Sequence, residues 1–315
     1  MRLSRSPVLI CFLVPAMFLS CKPSSEIPPW EVTDLSDSVR TREGGSYAAL
    51  PMGVTHYELL GPDTGRVVVL VHGSTLPMWT WDRQVSLLAE AGFRVLRYDH
   101  FGRGYSDRPV ANYSIDLYRD QLHDLVEFLG IRKPFSLVGI SFGCPIIATY
   151  AASYPGDIDR MVFVAPAVDP FSELAKLIAT SSVGTALVKS QLKRQVEGRI
   201  RLTLHKRGMP DKYADMFIAQ ASIRGFQRSL ISFFHNAAME DYRPYYRKIG
   251  EAVSNVMLIW GDDDKTVRKG QIRAFSEAIP NAQVNILKGI GHLAPFEATE
   301  QFNRLLLPFL AKTDK

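Results

Sequence analysis

Residues 66–71 read RVVVLV, a continuous β-branched run that a chain in water can hide only as a strand covered on both faces. Around it, strand and helix patterns take strict turns. A helical pattern over 81–91 is followed by the strand FRVLRYD, a helix over 114–129, the strand FSLVGI, a helix over 142–153 and the strand MVFVAP. Two leading strands, SYAAL and VTHYELLG, precede the run. The strands VSNVMLIWG and AQVNILKG, a helix near 269–278 and an amphipathic helix over 299–310 close the chain. Such alternation predicts an α/β fold with a mostly parallel central sheet flanked by helices. It breaks between 168 and 250, where only helical patterns occur. The expected organisation is therefore a body made of 45–167 and 251–315 with 168–250 inserted as a helical lid.

The N-terminal segment has a different character. Residues 1–20 combine Arg2 and Arg5 with an apolar run over 7–20, too short to cross a ~30 Å hydrocarbon layer comfortably and shaped like a secretory signal. The run ends Phe18-Leu19-Ser20-Cys21, which resembles the lipobox of bacterial lipoproteins, with Phe in place of the usual first residue. The expectation is an exported, membrane-anchored chain lipidated at Cys21. Residues 21–44, rich in Pro, Ser and acids, are expected to be a tether, with an arm packed through Trp30 as the second reading. Of three cysteines, Cys144 would then be the lone free thiol of the mature chain. The 37 basic and 32 acidic side chains are scattered without a run of five basic residues, which argues against a nucleic-acid partner.

The strand FSLVGI runs into Gly139-Ile140-Ser141-Phe142-Gly143 and then a helix, giving the G-x-S-x-G spacing in the strand–turn–helix context that it needs. A sharp turn there lifts Ser141 above the sheet beside a helix N-terminus, where it can act as a nucleophile. His72-Gly73-Ser74, at the end of RVVVLV, forms a loop able to aim the Ser74 N–H at the same spot as that of Phe142, as an oxyanion hole requires. His72 itself reads as structural, and Cys144 as a small buried residue inside the helix. The base should stand on a late loop, and Gly289-Ile290-Gly291-His292 supplies one. Between nucleophile and base, LIWGDDDKTV offers Asp262, Asp263 and Asp264, of which one can hold His292.

Taken together, His72-Gly73, the segment YDHFGRGYSDRP, the turn at Ser141 and Gly291-His292 resemble the α/β-hydrolase family over about residues 45–312. The family pattern W-G-x-x-D-x-x-V falls on Trp260, Gly261, Asp264 and Val267, so the resemblance implies Asp264 as the acid. Some relatives carry it after the preceding strand, here Asp169. In YDHFGRGYSDRP the resemblance implies loop-ordering roles, with Arg103 and Asp107 in internal ion pairs. A Ser141–His292–Asp264 triad would cleave a small-molecule carboxylic ester through an acyl-enzyme, with neither a metal nor an organic cofactor. Related members use the same triad for carbon–carbon bond hydrolysis, acyl transfer or perhydrolysis, and some only bind a ligand. Ser at the turn argues against haloalkane dehalogenases and epoxide hydrolases, which carry Asp there. Phe and Met residues of the lid are enough to line an acyl pocket, although each read singly is more simply lid packing.

Overall fold

The computed structural model describes residues 27–168 and 172–312. The expected leader, Cys21 and Asp169 lie outside these residues. Eight strands form one sheet: β1 (Ser46–Leu50), β2 (Gly53–Leu60), β3 (Val67–Val71), β4 (Arg94–Tyr98), β5 (Phe135–Ile140), β6 (Ile158–Val164), β7 (Val256–Gly261) and β8 (Gln283–Leu287). Their order is β1-β2-β4-β3-β5-β6-β7-β8. β1 and β2 pair antiparallel, as does β2 with β4, and the six strands from β4 to β8 run parallel. The expected fold class is thus the one observed.

The first helix, α1 (Asp37–Glu43), precedes the sheet; α2 (Asp82–Glu90), α3 (Ile115–Phe128) and α4 (Gly143–Ser153) follow β3, β4 and β5. Every residue of β3, β5 and β7 is buried, which is why these strands read as unbroken apolar runs. The same holds for α4 from Gly143 to Ala152, a helix with no wet face. Because the central strands are parallel, their carboxyl ends share one edge of the sheet. The loops leaving β3, β5, β7 and β8 at that edge carry Ser74, Ser141, Asp264 and His292, the usual place for a site in such a sheet.

Above that edge lies a cap of five helices: α5 (Glu173–Ala179), α6 (Ser182–Arg194), α7 (Ile200–His205), α8 (Lys212–Ser222) and α9 (Phe226–His235). The expected lid boundary at 250 needs correction. Helix α10 (Arg243–Ala252) belongs to the body, since its Tyr246 ring packs 5.4 Å from both Phe163 of β6 and Phe275 of α11 (Lys269–Ala278). The two stems of the cap meet where the Tyr242 N–H donates to the Val168 carbonyl at 2.9 Å. The short α12 (Ala294–Glu297) and the long α13 (Thr299–Ala311) end the fold.

The tether expected over 21–44 is, from Ile27 onward, a packed arm. Thr33 bonds through its N–H to Ser222 O and through its carbonyl to Arg224 N–H, both at 2.9 Å, in a bridge beside Ile223. Buried Glu31 accepts the N–H groups of Gly225 and Gln227 at 2.8 and 2.6 Å, capping the start of α9 with a negative charge. Trp30, the anchor of the second reading, packs on the core. Polar composition hid this because the arm docks chiefly through backbone and carboxylate bonds rather than an apolar stripe.

Candidate active site

Ser141 stands between β5 and α4 at φ 54°, one of two non-glycine residues with positive φ among the described residues. Left-handed backbone costs a β-carbon-bearing residue energy, and it is retained here because close packing on both sides leaves no other path. A β-carbon on Gly139 would lie 2.7 Å from the Gly143 carbonyl oxygen, and one on Gly143 would lie 2.3 Å from that of Val71. The two flanking glycines therefore let strand, turn and helix come together. The Ser141 N–H is fixed to Val164 O at 2.8 Å, and its carbonyl accepts from the Cys144 N–H at 3.1 Å. Cys144 is buried with Sγ 3.1 Å from the Gly139 carbonyl oxygen, and burial pushes its thiol well up, so it stays neutral.

His292 lies on the loop after β8, 2.7 Å through Nδ1 from Asp264 Oδ2. An ionised carboxylate only accepts, so Nδ1 carries the proton and Nε2 is left with a lone pair to receive one. The other oxygen, Oδ1, accepts from the N–H groups of Thr266 and Val267 at 2.7 and 2.9 Å. Burial alone would raise the Asp264 pKa, but the His292 bond and these two N–H donors outweigh it and hold the carboxyl below its ordinary range. Asp262 and Asp263 are exposed; Asp262 nevertheless fastens its loop to the histidine loop by accepting from Gly289 N–H at 2.7 Å.

The loop after β3 is ordered by an unbroken chain of bonds. His72 Nδ1–H donates to the Gly73 carbonyl at 2.7 Å, and its Nε2 accepts the His100 N–H at 2.9 Å. Since carbonyl and N–H of a trans peptide point in opposite directions, pinning Gly73 O on one side presents Ser74 N–H on the other. Burial pushes His72 down to about 4, which keeps it neutral and able to play both parts. The reading of His72 as structural agrees with this geometry. Phe142 sends its ring away from the sheet edge, 4.6 Å from Phe233 of α9 and edge-on to it, while its backbone follows Ser141 directly.

Ser141, Ser74 and His292 open onto one cavity of about 490 Å³ beneath the cap. Its wall is mainly apolar, with Leu187, Leu192, Leu204, Phe217 and Leu230 from the cap and Leu293 from the body. Among the described residues one Lys, Arg, Asp or Glu side chain lines it, Arg207, which lies 3.5 Å from Glu297.

Comparison with known proteins agrees with this architecture. The pattern defining the family described as "alpha/beta hydrolase fold" matches residues 66–201. The chain has the α/β-hydrolase fold. The chain is 27% identical to a 2-hydroxy-6-oxononadienedioate/2-hydroxy-6-oxononatrienedioate hydrolase of Paraburkholderia phymatum, over 88% of the chain and 100% of the relative. It is 27% identical to a non-heme chloroperoxidase of Kitasatospora aureofaciens, over 79% and 93%. Among solved structures it resembles a bromoperoxidase from Bacillus anthracis with TM-score 0.68 and 26% identity, covering 85% of this chain and 100% of that one.

Two residues around this site escape a reading based on sequence patterns. Glu297 accepts from the N–H groups of Gly291 and Leu293 at 2.8 and 2.9 Å, clasping His292 on both sides. Nothing in a lone Glu ahead of a C-terminal helix announces that role. Arg103 is buried but, contrary to expectation, its bonds run to no carboxylate among the described residues. It donates to the Ser74 carbonyl, to Gly102 O at 2.8 Å and to Ser229 of α9 at 3.0 Å, and lies over the rings of Phe226 and Phe233. A carboxylate there would have to displace the cap, whose Ser229 hydroxyl and two aromatic faces, with the body carbonyls of Ser74 and Gly102, take its place. Asp107 does form the expected ion pair, with Arg40 at 2.5 Å, and also accepts from Val54 N–H.

Proposed function

We propose that this protein is a serine hydrolase that cleaves a carboxylic ester with an apolar acyl group. The observation that carries the reading is Ser141, in left-handed backbone, opening onto the same apolar cavity as a His292 whose Nδ1 is held by Asp264. In the proposed cycle His292 Nε2 takes the Ser141 proton as Oγ attacks the ester carbonyl. The N–H groups of Ser74 and Phe142 stabilise the resulting oxyanion, and Asp264 stabilises the imidazolium. Collapse breaks the bond to the alkoxy oxygen, which leaves with the proton from His292. Water, deprotonated in turn by His292, attacks the acyl carbon and releases the acid and Ser141.

A second reading has the support of the relatives' names. A hydrolase of a dienedioate splits a carbon–carbon bond in a substrate with two carboxylates, and such relatives match along nearly their whole length. Against it stands the cavity wall, where the one Lys or Arg among the described residues, Arg207, already faces Glu297. An apolar acyl chain suits that wall better than two anions do.

The test is turnover of nitrophenyl esters of graded chain length by the protein and its Ser141→Ala variant, alongside a 2-hydroxy-6-oxo-dienoate and a fluorophosphonate label. Serine-dependent ester turnover with a chain-length optimum supports the first reading. Labelling with turnover of the dienoate alone transfers the assignment to carbon–carbon hydrolysis. Export and lipidation at Cys21 also remain our proposal, supported by the run ending Phe18-Leu19-Ser20-Cys21. Labelled fatty acid should enter the chain in bacterial cells but not its Cys21→Ser variant; equal labelling would sink the idea.

A further inference from the structure

Helix α5 has no buried residue. Even so it carries Leu174, Leu177 and Ile178, exposed to 67%, 69% and 45%. Their spacing puts all three on one helix face, and on α6 Val183 and Leu187, four apart, are exposed to 61% and 59%. A helix this short draws little stability from its own backbone, so an apolar stripe facing water points to something that covers it. The charge around the stripe narrows the choice. Residues 173–208, from α5 through the turn after α7, hold eight Lys and Arg against two Glu, a net +6, whereas the whole chain carries +5. This segment thus carries more net positive charge than the whole protein, spread over α5 to α7 and their turns, with Lys189, Lys193 and Arg194 on α6.

We propose that this face of the cap, formed by α5 and α6, docks on the surface of a bilayer containing anionic lipid. Apolar side chains flanked by lysine and arginine match the acyl boundary and the headgroups of such a surface at once. A second copy of the chain is the poorer occupant, because two-fold pairing would bring +6 against +6. The face is continuous with the site: Leu187 is both exposed and part of the cavity wall, with Val188 beside it. Docking there would set the cavity mouth against the lipid, from which an ester could enter without crossing water. Among the described residues no helix is long and apolar enough to cross a membrane, so contact of this segment is superficial. The docking itself stands apart from the ester reading, since a bilayer would be met whatever bond Ser141 attacks.

The experiment is co-sedimentation of the full chain with vesicles of phosphatidylcholine, with and without phosphatidylglycerol, repeated in the Ser141→Ala background so that turnover plays no part. Leu177→Glu/Ile178→Glu should lower partition onto both vesicle types at least ~10-fold. Lys189→Glu/Lys193→Glu should abolish the preference for phosphatidylglycerol and leave the phosphatidylcholine level in place. Both positions are exposed or half-buried on the cap, and unchanged circular dichroism and melting would show that the variants fold. Partition equal to the parent on both vesicle types overturns the proposal by assigning binding to another part of the chain. So does conversion of a dimer to a monomer in lipid-free light scattering, which would make the face a self-association surface.

Discussion

Asp264 and Glu297 hold His292 from different directions, one by its ring and the other by its backbone. Loss of the first should be the more severe. Asp264→Asn leaves the shape intact but offers a group that can donate to Nδ1, favouring the wrong tautomer, and kcat should drop ~10³–10⁴-fold with little change in KM. Asp169→Asn should retain parental kcat, and the reverse pattern would move the acid to the loop after β6. Glu297→Ala strands the N–H groups of Gly291 and Leu293, a loss of about 1–3 kcal/mol that should fall on kcat as roughly a 10-fold decrease while substrate affinity holds. If the melting temperature falls but kcat does not, Glu297 serves only the fold. Ser141 and His292 could be named as candidates from sequence because each stands in a short pattern tied to a strand end, whereas the family resemblance alone singles out Asp264 from Asp262 and Asp263. Glu297 and Arg103 could not be named, since their partners are backbone groups that only the folded chain brings within reach.

The strands and body helices were legible as elements for a physical reason: burial on both faces forces unbroken apolar runs, and one-sided burial forces helical spacing. Where burial is not the organising force, the pattern falls silent. α1 buries nothing and is marked only by a Ser36 cap and its Asp37, while the arm before it docks on the cap through Glu31 and the backbone of Thr33. α10 reads as one more cap helix by its periodicity, although Tyr246 and Ile249 face the body. Glu31 gives the arm a measurable role. Glu31→Ala should remove two charge-assisted bonds at the start of α9 and speed amide exchange at Gly225 and Gln227 by ~10-fold or more, with exchange in β5 unchanged. Equal protection in the two proteins would mean that the arm merely rests on the cap.

For the whole molecule, acid is the condition that should uncover the buried histidines. Above pH 6.5 His72 is neutral both folded and unfolded; from there down to about 4 the unfolded chain takes a proton that the folded one refuses. Stability must therefore decline as pH falls through this window, by about 3 kcal/mol for His72 alone, and burial also lowers the pKa of His100. Asp264, with its depressed pKa, gives stability that is complete above its ordinary range and lost only in stronger acid. Urea unfolding at pH 7.5 and pH 5 should show the earlier decline; identical midpoints would mean that His72 is charged or solvated in the folded state. The Glu31 bonds also have a consequence in time. They span 194 and 196 residues of chain, and a ribosome delivers residue 31 long before residues 225 and 227. The arm must wait, unpaired, while the body is synthesised, and the Asp264–His292 pair arrives later still. In the proposed cycle this means that Ser141 is present in the growing chain well before His292 and Asp264 exist to activate it, and that it stays inert until synthesis is nearly complete.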